Sequence, residues 1–544
     1  MIKLKLISSF KKVLLQDSFD TLSPIDTLKC ARGERVSFQI AIKNLTSRKK
    51  HACFSVCDTF KDITQLYRVG YVPVSLPAFE GVDDYYISKT PGLYPDVLYP
   101  MTENTQVVCD ISNVVCVWAT VEIPTDFAAG RHTLTVSAVC GEDVHTLTLT
   151  LDVKNCVMPQ NDLIYTQWLH CDCIADYYGV PMMSKKHWRY IEQFIKTAAK
   201  TGITMMFTPL FTPPLDTAIG SERPTMQLIT VSKDGDKYRF DFSLLDKWIS
   251  LCKKYGIKYY EMSHLFTQWG AGACPKIIVD GKNEFGWDVP SNSQKYRDFL
   301  TQLMPALTEH LKELGIAKYC YFHISDEPHI GENKPDYDNY KAAYELLSPY
   351  LEGFKMMDAL SQIEFYEKGL VSTPVPYIGR IKPFLQKDIA ERWCYYCAGF
   401  EHFMPDRMMA MSCARTRILG TLLYMNGMDG FLQWGFNFYY TNKAEKKIDP
   451  YLVTDAENAW PSGNPFSVYP DKDGGPALES IRTKVFYEGL QDRMLLKALE
   501  KKAGADAAKA LVMKTADGVL EGFLKYPTDD GFLQTLHDKI LDIL

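Results

Sequence analysis

Along the first 155 residues, apolar positions recur every second residue or run unbroken over short stretches. RVSFQIAIKNL, TQVVCDISNVVCVWATVEI, RHTLTVSAVC and VHTLTLTLDVKN are separated by brief Gly, Asp and Asn turns. This is the pattern of strands with one buried face, and it predicts an N-terminal β-sandwich over residues 1–155. The stretch GVDDYYISKTPGLYPDVLYP lacks the pattern and is expected to be a long loop. Its Tyr85, Tyr86 and Tyr94 would pack between domains or reach a neighbouring site.

After MPQNDL the period changes. IYTQWLH, ITMMFTPL, IKYYEMSHLF, KYCYFHISDE, FKMMDAL, TPVPYIG, RWCYYCA and MDGFLQWGFNFYY read as strands, and each precedes a segment of helical periodicity such as KKHWRYIEQFIKTAAKTG or FSLLDKWISLCKKYG. Eight alternations over residues 160–502 fit a (β/α)8 TIM-like barrel. A doubly wound sheet would also alternate, but no Gly-x-Gly-x-x-Gly follows the first strand. Residues 503–544 are expected to form a small α/β appendage, with one helix and a strand or two around VLEGFLKYP.

Composition narrows the class. Apolar content of 46% with 23% charged residues is that of a folded globular protein, and 60 basic against 66 acidic residues give a net charge of -6 with no basic block. Nucleic acid is therefore not an expected partner. No run of 18 apolar residues exists, so no membrane span is expected. MIKLKLISSFKKVLLQ reads as a first strand and not as an export signal, which makes a cytoplasmic location the expectation. The 15 cysteines lack a framework. Cys171-x-Cys173 and Cys394-x-x-Cys397 have no complementary pair, so reduced packing cysteines are favoured over a metal or redox site, and no cofactor is expected.

Chemistry gathers at HISDEPHI, where Asp326 and Glu327 end the fourth strand. Barrel active sites lie at the carboxyl ends of the strands. Neighbouring strand residues point to opposite faces, so both acids reach one pocket only if the alternation breaks there. Pro328 is expected to restrict Glu327 toward an extended backbone, as at a strand terminus. Two crowded carboxyls split their protonation, one remaining an anion and the other an acid near neutral pH, which is equipment for cleaving a glycosidic bond.

The other predicted strand ends carry residues that suit a sugar: Trp168 and His170, Phe207 and Thr208, Glu261, His264 and Trp269, Asp358, Tyr395, and Trp434 and Asn437. Indole and phenol faces pack on pyranose C–H groups, while carboxylates and amides take hydroxyls. Trp393 is expected to point outward into the helix layer if Tyr395 belongs to the pocket.

The DEP at the fourth strand end, with RWCYYC, MDGFLQWGFNFYY and YPDKDGGPALESIRTKVFYEGLQD, resembles glycoside hydrolase family 123 and the wider group sharing its catalytic domain. The resemblance spans about residue 30 to 500. It implies a sandwich and a barrel, and removal of β-linked N-acetylgalactosamine, including from glycosphingolipid sugars, by substrate-assisted catalysis. Carried over, Glu327 would be the general acid, Asp326 would orient the 2-acetamido group, and Tyr395 would support its carbonyl. Asn437 would meet sugar hydroxyls. Arg482 would either pair with Glu488 or another acid, or touch substrate. One departure is Gly463-Asn464 ahead of Tyr469-Pro470, where the family often has Gly-Asp.

The resulting expectation is a glycoside hydrolase acting on an oligosaccharide or glycoconjugate and removing β-linked N-acetylhexosamine with retention. The alternatives are a glycosidase of other specificity, or a catalytically silent carbohydrate-binding protein. A metal-dependent hydrolase using His170, His264 and His323 is a further, less favoured class. A homodimer through either domain is compatible with the sequence.

Overall fold

In the computed structural model, which describes residues 2–331 and 335–544, the N-terminal alternation resolves into two five-stranded sheets. One runs in spatial order Ile2–Ser8, Arg35–Asn44, Val115–Glu122, Thr64–Val74 and Gly92–Pro100. The other runs Thr27–Arg32, Asp143–Val157, Gly130–Cys140, Lys50–Val56 and Gln106–Cys109. Their inward residues, among them Phe38, Ile40, Val117, Leu134 and Leu149, form one core. The stretch expected to be a loop is a strand in its second half, Gly92–Pro100, and Tyr94 is part of it. Its prolines hid it from a pattern reading, and they are tolerated because this is an edge strand. The barrel covers that edge: Leu98 N–H donates to the Glu479 carbonyl at 3.0 Å.

Eight parallel strands follow: β1 (Ile164–Gln167), β2 (Met205–Thr208), β3 (Tyr259–Met262), β4 (Cys320–Phe322), β5 (Lys355–Ala359), β6 (Thr373–Val375), β7 (Trp393–Tyr395) and β8 (Gly430–Gln433). Their spatial order is β6-β5-β4-β3-β2-β1-β8-β7. The Tyr395 N–H donates to the Pro376 carbonyl at 3.0 Å, which brings β7 back toward β6 and nearly closes the barrel. Met205, Phe207, Tyr321, Met357, Val375 and Leu432 fill the interior.

Trp393 corrects an expectation. Residues two apart share a strand face, so Trp393 points into the barrel with Tyr395 and not into the helix layer. Gly430 makes room for it, since a Cβ there would lie 2.0 Å from the indole.

The helices after β2, β3 and β4 are Ser243–Lys254, Gln294–Glu313 and Asp336–Leu347. The crossovers after β5 and β6 keep only single turns, Glu364–Glu367 and Lys382–Leu385. The loops after β2 and β3 build a four-stranded sheet, Lys237–Asp241, Thr230–Asp234, Ile277–Val279 and Lys282–Phe285, on the carboxyl rim.

Helices Cys413–Met425 and Ile481–Ala503 cross so closely that a Cβ on Gly420 would lie 1.7 Å from the Gly489 carbonyl oxygen. Arg417 pairs across this crossing with Asp492 at 2.7 Å and Glu488 at 3.0 Å. The tail differs from its expected α/β form. It has two helices, Ala505–Thr515 and Asp530–Ile543, and VLEGFLKYP contributes only a bridge between Glu521 and Lys525. Among the described residues no helix is long and apolar enough to cross a membrane.

Sandwich and barrel are bolted together by buried ion pairs. Arg482 meets Asp96 at 2.8 Å, and not Glu488, while also donating to the Gly463 and Phe466 carbonyls at 2.8 Å. Arg415 meets Asp83 at 2.8 Å and lies over the Tyr86 ring at 4.7 Å. Tyr85 and Tyr86 therefore serve domain packing.

Candidate active site

Regular β4 ends at Phe322, four residues before the acids, which stand on a short irregular extension of the strand. Glu327 has φ +45°, a left-handed backbone and not the extended one expected before Pro328. That conformation is costly for a residue with a Cβ. It is held from both sides: Glu327 N–H donates to the Ala359 carbonyl at 3.0 Å, and the Asp326 carbonyl accepts from Trp269 N–H at 2.7 Å. The broken alternation sends both carboxyls to one wall.

That wall belongs to a cavity of about 370 Å³ at the carboxyl ends of the strands. This volume is near the lower end of ligand pockets, ~300–1,000 Å³, and gives room for a sugar ring more readily than for an extended chain. Trp168, Trp269, Tyr395, Phe400, Trp434 and Trp460 supply aromatic surfaces. Asp216, Gln268, Asn442 and Lys443 supply polar ones. Asp216, Trp269 and Lys443 share the left-handed backbone of Glu327, with φ +41°, +59° and +56°. Strain of this kind concentrates where surrounding structure fixes a functional geometry.

The carboxyls are tuned by their surroundings. Burial, then the neighbouring Glu327 carboxyl, pushes Asp326 well above the usual carboxylate range, against the pull of His323. The adjacent pair thus retains a proton where isolated carboxyls have lost theirs. The Tyr395 hydroxyl donates to Glu327 Oε1. Burial, then Glu327, holds the phenol well above its ordinary value, so it stays a donor. Burial also raises Asp216 to about 6, and its buried Oδ2 has no hydrogen-bond partner among the described residues.

Beneath the floor runs a second polar layer. His323 reaches Glu261 through Nε2 and Asp358 through Nδ1, both at 2.8 Å. Burial opposes its charge, but the two carboxyls win and raise it to about 9. Glu261 also accepts from Thr166 Oγ1 at 2.5 Å and Trp168 Nε1 at 2.7 Å. Asp358 accepts from Tyr340 at 2.5 Å and from Ile324 N–H. The His264 ring stacks on His323 at 4.1 Å, and burial, then His323, keeps it neutral. His264, His323 and Asp358 offer donor atoms within 4.8 Å of one another, the spacing of a metal group. Both nitrogens of His323 are already given to carboxyls, so the cluster is an ion-paired buttress for Trp168 and the β4 extension. His170 is not part of it.

Of the residues singled out in the sequence, Asp326, Glu327, Tyr395, Trp168, His170, Trp269 and Trp434 line the cavity. Glu261, His264 and Asp358 lie in the layer below. Asn437 is buried behind the wall, where it accepts from His170 N–H at 2.8 Å and donates to the His170 carbonyl at 3.0 Å. His170 is itself buttressed: Nδ1 accepts from Arg223 at 3.1 Å, and burial, then Arg223, lowers its pKa to about 3. Asn464 is buried and is not part of the cavity lining. Asp216, Gln268, Phe400, Lys443 and Trp460 were not legible, because they sit in loops without periodicity. Phe400 stacks on Phe79 of the sandwich, centroids 5.0 Å apart and 5° from parallel. All fifteen cysteines are unpaired; Cys394 is buried in β7 and Cys397 lines the cavity.

A parallel barrel whose aromatic cavity presents adjacent carboxyls at the strand ends has the parts that a carbohydrate-cleaving hydrolase requires. The sequence model of the glycoside hydrolase 123 catalytic domain matches residues 168–499, and the chain belongs to that family. It is a glycoside hydrolase, and its substrate is a carbohydrate. The chain is similar over its length to a family 123 glycoside hydrolase from Clostridium perfringens, solved to detail glycolipid glycan hydrolysis. The TM-score is 0.74 at 16% identity, covering 100% of this chain and 97% of that one, a likeness of fold. An endo-β-1,4-mannanase from Thermotoga petrophila superposes at TM-score 0.35 and 11% identity over 61% of this chain and 77% of that one, too loosely for any argument. No curated protein matches the sequence.

Proposed function

We propose that the protein removes terminal β-linked N-acetylhexosamine, N-acetylgalactosamine foremost, by a retaining, substrate-assisted mechanism. The observation that carries this reading is the pair Asp326 and Glu327 on one cavity wall, brought there by the left-handed backbone of Glu327.

Glu327 gives its proton to the glycosidic oxygen as the bond to the anomeric carbon breaks. The carbonyl oxygen of the substrate's own acetamido group attacks that carbon from the opposite face, while Asp326 accepts the acetamido N–H and orients it. The cyclic oxazoline-type intermediate is opened by water, whose proton goes to the Glu327 carboxylate. Two inversions give net retention. The proton retained by the adjacent pair, through the raised Asp326 carboxyl, is what the first step draws on, since an acid must still carry a proton near neutral pH. Tyr395, whose hydroxyl is donated to Glu327, orients the acid; supporting the acetamido carbonyl requires that hydrogen bond to be exchanged. The tryptophans supply the stacking faces.

The test is release of nitrophenol from β-N-acetylgalactosaminide, β-N-acetylglucosaminide, β-galactoside and α-linked controls, with Glu327→Ala alongside. Selective cleavage of the first, lost in the variant, is expected. Equal cleavage of the β-galactoside, which has no acetamido group, would overturn substrate assistance.

A further inference from the structure

Glu327 and Tyr395 belong to two depressions. One is the aromatic cavity; the other is an open trough of about 460 Å³ lined, besides these two and Pro328, by His329, Ser361, Gln362 and Arg380. The proton from Glu327 must reach the oxygen between the departing sugar and what it is attached to. A substrate therefore spans both depressions at Glu327, with its terminal sugar against the aromatic faces and its leaving group in the trough.

The chemistry of the trough differs from that of the cavity. Apart from the shared Tyr395 it offers no phenol or indole face. Its polar groups are partly committed: Gln362 accepts from Ile330 N–H at 2.5 Å and donates back to the Ile330 carbonyl at 3.1 Å, and His329 Nδ1 meets the Glu327 carbonyl at 2.7 Å. Arg380 ends the short turn Ile378–Arg380 after β6, anchored through its N–H to the Tyr377 carbonyl at 2.8 Å, and its side chain is exposed. Among the described lining residues it is the only fixed positive charge. A guanidinium presents paired donors that match a carboxylate or sulfate.

We propose that this trough is the leaving-group subsite and that it selects a second sugar bearing an anionic group, a carboxylate or a sulfate ester, held by Arg380. The proposal rests on the glycosidase reading of Glu327.

The experiment compares disaccharides with one terminal sugar, the sugar that the nitrophenyl panel identifies, and paired second sugars: glucuronic acid against glucose, and 6-sulfogalactose against galactose. In the wild type, kcat/KM is expected to be about fivefold or more higher for at least one acidic member, with the preference shrinking as added salt screens the contact. Arg380→Ala should bring the acidic-to-neutral ratio close to one, and Arg380→Lys should keep part of it. The two pairs distinguish carboxylate from sulfate. Equal rates for acidic and neutral partners, or a ratio unmoved by Arg380→Ala, overturn the subsite. Cleavage of a different nitrophenyl glycoside overturns the N-acetylgalactosamine reading and leaves this comparison intact with that sugar. Silence on every glycoside and disaccharide overturns both.

Discussion

His323 holds Asp358 through Nδ1 at 2.8 Å in a fully buried contact, and its other nitrogen holds Glu261 at the same distance. Removing the imidazole leaves two buried carboxyls without their counter-charge. His323→Gln is therefore expected to destabilise the fold by roughly 3–5 kcal/mol, the cost of breaking a buried pair from one side. The pH dependence has a definite sign. The folded pKa is raised from 6.5 to about 9, so the stabilisation is fully present below about pH 6.5 and is lost as pH rises through 9, by about 3 kcal/mol. His537, raised to about 10 beside Glu34, acts in the same direction. Thermal unfolding of wild type and variant between pH 6 and pH 10 separates them: the gap should narrow with rising pH, and a constant gap would count against a charged His323.

Glu327→Gln keeps the shape and removes the transferable proton. The expected loss in kcat/KM is roughly 10²–10⁴-fold for leaving groups that need protonation, and much less for dinitrophenyl glycosides, which leave unaided. A uniform loss across leaving groups would show that Glu327 is not the acid.

Asp326→Asn removes the like charge that helps the pair retain its proton. The alkaline limb of the kcat/KM profile should shift to lower pH, and a thiazoline mimic of the cyclic intermediate, expected to inhibit the wild type, should bind the variant more weakly. An unshifted limb together with unchanged thiazoline inhibition would remove Asp326 from the mechanism.

Asp216 lines the cavity as a half-buried residue whose Oδ2 is buried and has no hydrogen-bond partner among the described residues. Its pKa is raised by burial to about 6, so its ionisation works against the fold as pH rises from about 4 through 6, by at most ~3 kcal/mol. Asp216→Asn should therefore melt higher than wild type at pH 7, with little difference at pH 4, while kcat/KM falls roughly tenfold or more. Higher melting with unchanged kinetics would make Asp216 a bystander.

The barrel was legible because eight buried strands each carry their own apolar run, and because DEP follows the fourth of them. Trp168, Trp269 and Trp434 were legible for the same reason, lying at or just beyond a strand end. Periodicity could not separate the residues that face the cavity from those one layer below. Glu261 and Asp358 belong to strands as plausible as any other, yet His323 draws both away from the cavity. The edge strand Gly92–Pro100 was missed because its prolines are acceptable only at a sheet edge, and which strand lies at the edge is decided by the tertiary structure.

The sequence alone determined the order of strands and helices and the position of the acids along the chain, since both follow from local spacing. Only the tertiary structure decided that Asp326 and Glu327 share a wall. That depends on a left-handed residue whose N–H is held by Ala359 of the neighbouring strand, and on Trp269 reaching back from the preceding loop. A backbone conformation that is unfavourable in isolation has no local signature. It exists because long-range hydrogen bonds offset its cost.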